Sequence, residues 1–185
     1  MKRKKILQSA ILMVILAFIG LCLYMSIRFS IERRPIGEID DISRYAEIRN
    51  QYQGIMQHFP EPLPADATEV KFHYHPSFMQ GGTVIQLRLQ LPKNQVEKLT
   101  DEYYQTATLI LHNGNVVKGG SDEGGIPHPQ IWVQEDTKGF EKGSFTFFLH
   151  EEPLGEENFL WNHGTTYGVM INQEEQVVIY WAEEW

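Results

Sequence analysis

The chain has 185 residues, 42% of them hydrophobic and 22% charged, with a formal net charge of −8. Four of its 16 basic residues, Lys2, Arg3, Lys4 and Lys5, precede the first long apolar run. All 24 acidic residues follow that run, so the rest of the chain carries a net charge of −12. Such an acidic body repels phosphate backbones, which excludes nucleic acid as a partner. Cys22, inside the apolar run, is the only cysteine, which rules out thiolate zinc sites, cysteine nucleophiles and internal disulfides in the folded part.

Residues Ile6 to Ile27 carry no charge. At 1.5 Å per residue this run makes a helix of roughly 33 Å, enough to cross a hydrocarbon core of about 30 Å. The run is longer than a signal-peptide core and ends in Tyr24-Met25-Ser26-Ile27 without a small-x-small cleavage site. Leu21 stands where a lipobox before Cys22 needs a small residue, so lipidation there fits poorly. Residues 6–27 therefore read as an uncleaved signal-anchor in the lipid bilayer, after a cytoplasmic basic tail of residues 1–5. Arg28, Arg33 and Arg34 on the far flank are outnumbered by the basic tail. The positive-inside rule then places the N-terminus in the cytoplasm and the remainder outside, as a single-pass protein of the cell membrane.

Residues 28–37 form a linker broken by Pro35 and Gly37, and residues 38–185 form one extracytoplasmic domain. It opens with an amphipathic helix starting near Asp41, in which Ile42, Tyr45, Ile48, Tyr52, Ile55 and Phe59 recur every three or four residues. His58-Phe59-Pro60 ends it, and Pro60, Pro62 and Pro64 impose an extended connector. Val70, Phe72 and Tyr74 alternate with Lys71, His73 and His75. Beyond the Gly81-Gly82 turn, Ile85, Leu87, Leu89 and Leu91 alternate with Gln86, Arg88 and Gln90, giving a half-buried antiparallel pair.

A helix follows from Asn94 to about Thr106, with Val96, Leu99 and Tyr103 as its apolar stripe. Leu109-Ile110-Leu111 leads through the hairpin dipeptide Asn113-Gly114 to Val116-Val117. Gly119 to Gln130 is a flexible loop. Further strands are expected at Ile131-Trp132-Val133, Ser144 to His150, Tyr167 to Asn172 and Gln176 to Trp181. The fold class is therefore α+β: an N-terminal transmembrane helix, then a mainly antiparallel sheet of about seven strands with about two helices.

Chemistry has few candidates. His73 and His75 share a strand face, so both imidazoles can reach one divalent transition metal. His73-Tyr74-His75 resembles the His-x-His strand of cupins over about ten residues, which implies a metal centre. The sequence departs from the cupin pattern afterwards, with Gln80 and Gly81-Gly82 where a glutamate ligand is expected. A third ligand then has to come from His112, His128, His150 or His163. His150-Glu151-Glu152 does not extend to His-Glu-x-x-His, because Leu154 takes the last position and Pro153 breaks the helix.

The C-terminal half is aromatic. Trp132, Trp161, His163 and Trp185 are the candidate residues for a protein, peptide or glycan partner, with Trp161-Asn162-His163-Gly164 read as a loop. In Phe145 to Leu149 both strand faces are apolar, so the strand is either covered on both sides or presents a binding face. There is no Gly-x-Ser-x-Gly, phosphate loop, dinucleotide fingerprint or Cys-x-x-Cys. The leading expectation is a non-enzymatic binding module without a cofactor. The alternatives are a metal-binding domain or metal-dependent enzyme on His73 and His75, and an extracytoplasmic sensory domain.

Overall fold

The computed structural model describes residues 18–22, 24, 40–77, 82–119, 133, 143–154 and 163–184. The chain divides into two compact units, Met1–Ile36 and Gly37–Trp185. In the first unit, residues 18–22 and 24 are helical. Phe18, Ile19, Leu21 and Tyr24 are all exposed there. Among the described residues no helix is long and apolar enough to cross a membrane. The rest of the 6–27 run lies outside the described residues.

The second unit is an α+β domain whose seven strands form one antiparallel sheet. In chain order they are β1 (Thr68–His75), β2 (Thr83–Gln90), β3 (Leu109–His112), β4 (Asn115–Lys118), β5 (Ser144–Leu154), β6 (His163–Asn172) and β7 (Val177–Glu184). Their spatial order is β1-β2-β7-β6-β5-β3-β4, so β7 inserts between β2 and β6. Two helices accompany them, α1 (Tyr45–Gln51), preceded by a 3-10 turn at Ile42–Arg44, and α2 (Lys93–Thr106).

One face of the sheet carries the main core. Phe72, Tyr74, Leu87, Phe147, Val169 and Val178 pack there against Ile48 from α1, Met56 from the turns that follow it and Val96 from α2. The 3.6-residue period of these segments is what places those side chains on the sheet. The opposite face carries two smaller apolar clusters: Val133, Met170, Val177 and Ile179, and Leu109, Leu111, Phe148 and Trp181. Phe147 and Phe148 are both fully buried, so the doubly apolar β5 is covered on both sides.

Three expectations need correction. The first amphipathic helix stops at Gln51 instead of reaching His58. Residues 52–55 continue as turns that include Gly54, and they still bury Ile55 and Met56. Tertiary burial kept the apolar residues inside while a glycine with poor helix propensity let the backbone leave the helix. Of the expected strand Ile131-Trp132-Val133, only Val133 is described, and it lies in a bend. Finally, β6 begins at His163, so His163 and Gly164 belong to a strand, where Gly164 pairs with Pro153 of β5.

Local chemistry explains the remaining elements. Asp41 accepts a hydrogen bond from the Ser43 backbone N–H at 2.9 Å and starts the first helical segment. The bond from the Ser43 hydroxyl, together with this backbone bond, holds the Asp41 carboxyl below its ordinary range. Asn113 and Gly114 have φ of 51° and 75°, the left-handed pair a tight hairpin requires. Lys118 of β4 donates from Nζ to the Tyr104 carbonyl at 3.0 Å, satisfying an orphan acceptor at the end of α2.

Candidate functional site

Among the described residues, two places bring chemistry-bearing side chains together. The first is a cleft of about 510 Å³ on the helical side of the sheet. Pro60 and Pro64 of the proline connector form one wall, and Leu91 and Leu99 supply further apolar surface with Tyr180. Asn94, Gln95, Lys98 and Glu102 of α2 form the polar wall. Asn94, Lys98 and Glu102 are spaced four residues apart, so they stand on one ridge of the helix and are exposed. A preformed pocket in the 300–1,000 Å³ range, apolar with a few convergent polar groups, has the form of a small-ligand site.

The connector that walls this cleft is held from several directions. Tyr45 donates its hydroxyl to the Pro60 carbonyl at 2.7 Å, and Ala67 N–H donates to the Pro64 carbonyl at 3.1 Å. Arg49 pairs with Glu61, and Gln95 of α2 donates to Asp66. Just upstream, the His58 Nε2 lies 3.0 Å from the Gly168 carbonyl and 3.2 Å from the Trp181 carbonyl, so it carries the proton and pins the connector to β6 and β7. The His58 ring stacks on Tyr167 at 5.1 Å, and Tyr167 stacks on His150 at 5.0 Å. Burial pushes the His58 imidazole down from 6.5 to about 4, against the two carbonyl bonds that favour its charged form.

Tyr180 at the cleft is itself buried, and burial raises its phenol to about 12. A phenol so far from ionisation serves as a hydrogen-bonding group and an aromatic surface, not as a base at neutral pH.

The second place is the other face of the sheet, where the register brings His73 of β1, Gln86 of β2 and Trp181 of β7 into one row. His75, Val84, Glu183 and Thr166 make the next row. His73 and His75 do share a strand face, as their spacing requires, but that face is not the solvated one expected for them. His73 is only 4% exposed and Gln86 fully buried, because the apolar clusters on this side continue the core across the sheet. His73 Nδ1 is bound to Asp40 Oδ1 at 2.8 Å, tying the start of the domain to the edge strand. Among the described residues no group of three His, Cys, Asp or Glu side chains is placed to hold a metal ion.

His112 and His150 are accounted for in other ways. His112 stacks on Phe145 at 4.3 Å and His150 on Tyr167, so both sit in aromatic ladders on the helical side. Trp132, Trp161 and Trp185, with His128, lie outside the described residues, and of His163 only the backbone is described. The cleft itself escaped sequence reasoning. In the sequence Pro60 and Pro64 mark a connector, and the second helix shows only its Val96, Leu99 and Tyr103 stripe. Only the fold brings those two segments face to face.

Against models of protein families, curated proteins and solved structures, the chain finds no match.

Proposed function

We propose that the chain is a single-pass, membrane-anchored protein of the cell envelope whose acidic α+β domain is a non-enzymatic binding module outside the cytoplasm. The observation that carries this reading is the uncharged run Ile6 to Ile27, flanked by four basic residues on one side and followed by every acidic residue of the chain. Phe18, Ile19, Leu21 and Tyr24, at 66, 48, 56 and 56% exposure, support it. At about 100° per residue these four side chains spread around the whole helix rather than forming one stripe. Apolar side chains on all sides suit a lipid environment.

The binding reading is supported by the preformed cleft, by the role of both His73 and Trp181 in the interior, and by the lack of any catalytic signature in the sequence. The test is chemical crosslinking of the full chain in native membranes, followed by identification of what is captured. One reproducible partner, competed away by excess uncrosslinked domain, is the expected result. Failure to capture any protein, peptide or glycan from membranes containing the folded chain would count against the binding reading.

A further inference from the structure

We propose that the cleft between the proline connector and α2 binds a neutral oligosaccharide. This inference rests on the reading of the domain as a binding module and gives that module a ligand class.

An extended peptide is normally held through its main chain, on a sheet edge or a row of free backbone groups. This cleft offers little of either. Pro60 and Pro64 have no N–H, and their carbonyls already accept from Tyr45 and Ala67. The opposite wall is the interior and first turns of a 14-residue helix, whose backbone bonds are largely internal. Recognition must therefore come from side chains.

Those side chains are two amides, one ammonium and one carboxylate: Asn94, Gln95, Lys98 and Glu102, of which Gln95 already donates to Asp66. Amides donate and accept at once, the carboxylate accepts and the ammonium donates. A hydroxyl, being both donor and acceptor, is satisfied by every one of them. Lys98 and Glu102 stand one helical turn apart, so the polar wall has no net charge. A phosphate or sulfate would meet Glu102 within a domain already at −14, which disfavours an anionic ligand. Of the remaining lining, the half-buried Pro60, Pro64 and Leu99 supply apolar surface for the C–H faces of sugar rings, while the buried Leu91 and Tyr180 form the floor beneath them. A volume of about 510 Å³ accommodates a ligand of this size.

The test uses the full chain in a detergent without a sugar headgroup. Cellotetraose, chitotetraose and maltotetraose are titrated beside a galacturonate tetramer and a proline-rich peptide. Binding is read by thermophoresis, and folding by the unfolding temperature of each variant. Asn94→Trp fills the cleft from an exposed helix position, and Glu102→Gln keeps the shape while removing the carboxylate.

The expected result is saturable binding of at least one neutral tetrasaccharide. Asn94→Trp should weaken it at least about tenfold and Glu102→Gln to a smaller extent, with unfolding temperatures unchanged. Three results would overturn the proposal: no neutral sugar bound by a cooperatively unfolding chain, sugar binding indifferent to Asn94→Trp, or preference for the acidic tetramer. Peptide binding that Asn94→Trp abolishes would overturn the sugar class while leaving the binding module standing. Crosslinking that captures nothing would instead strike the module itself.

Discussion

Gly168 of β6 faces Phe148 on one neighbouring strand and Trp181 on the other. A Cβ there would lie 2.1 Å from the Phe147 carbonyl oxygen and 2.9 Å from Trp181 Cζ2. Backbone cannot yield as a flexible side-chain tip does, so Gly168→Ala should destabilise the domain by about 2 to 4 kcal/mol. A urea titration should show a lower midpoint at an unchanged slope. His58 makes a second prediction at this scale. Its folded-state imidazole is held near 4, below the ordinary 6.5, so the unfolded chain binds more protons between those values. The associated stability is complete above about pH 6.5 and is lost as pH falls through about 4, a contribution of about 3 kcal/mol at most. His58→Gln keeps a donor for the Gly168 and Trp181 carbonyls without titrating, so its unfolding temperature should fall less steeply from pH 7 to pH 4 than that of the parent. Little of this could be read from the sequence: His58 was only a helix-ending residue, and no local pattern pairs it with carbonyls 110 and 123 residues away. The metal reading belongs here too. His73, bound to Asp40 inside the sheet, is a structural histidine in this account. The purified full chain should therefore hold substoichiometric metal after incubation with zinc, copper, iron or nickel salts, and His73→Ala/His75→Ala should leave that content unchanged. A full equivalent of metal per chain, lost in a folded double variant, would reverse the assignment.

At the scale of elements, alternation of side chains made most strands visible beforehand. Phe72 and Tyr74 on β1 and Ile85, Leu87 and Leu89 on β2 all face the main core as their spacing requires. α2 begins and ends within a residue of where its apolar stripe places it. The Asn113-Gly114 hairpin was visible because few other dipeptides take two successive left-handed residues. Gly114→Ala at φ 75° should therefore cost about 1 kcal/mol, measured by thermal unfolding. The first helix was overextended because spacing alone cannot distinguish a helix from a series of turns that buries the same residues. The polarity of β1's second face misled in a related way: Lys71, His73 and His75 alternate like a solvated edge, while His73 and Gln86 are enclosed. Polar residues on a strand report which face is less apolar, and burial depends on what the rest of the chain places over it.

For the whole molecule, composition and charge were the most informative features of the sequence. The uncharged run and the acidic domain with its antiparallel sheet fall in separate units of the chain, and the proposed function gives each its own task. Sheet order could not be anticipated, since β7, last in the sequence, inserts between β2 and β6 and makes the centre of the domain from distant segments. The cleft depends on that insertion, because Tyr180 of β7 lies against residues of the connector and of α2.

In the proposed function the 6–27 segment presents the acidic domain on the outer side of a membrane. Protease accessibility of a C-terminal epitope, in sealed right-side-out vesicles washed with alkaline carbonate, tests it most directly. The expected result is that the chain stays with the membrane through the wash and that added protease removes the epitope without lysis. Release of the chain by carbonate, or an epitope that becomes cleavable only after the vesicles are lysed, would contradict it.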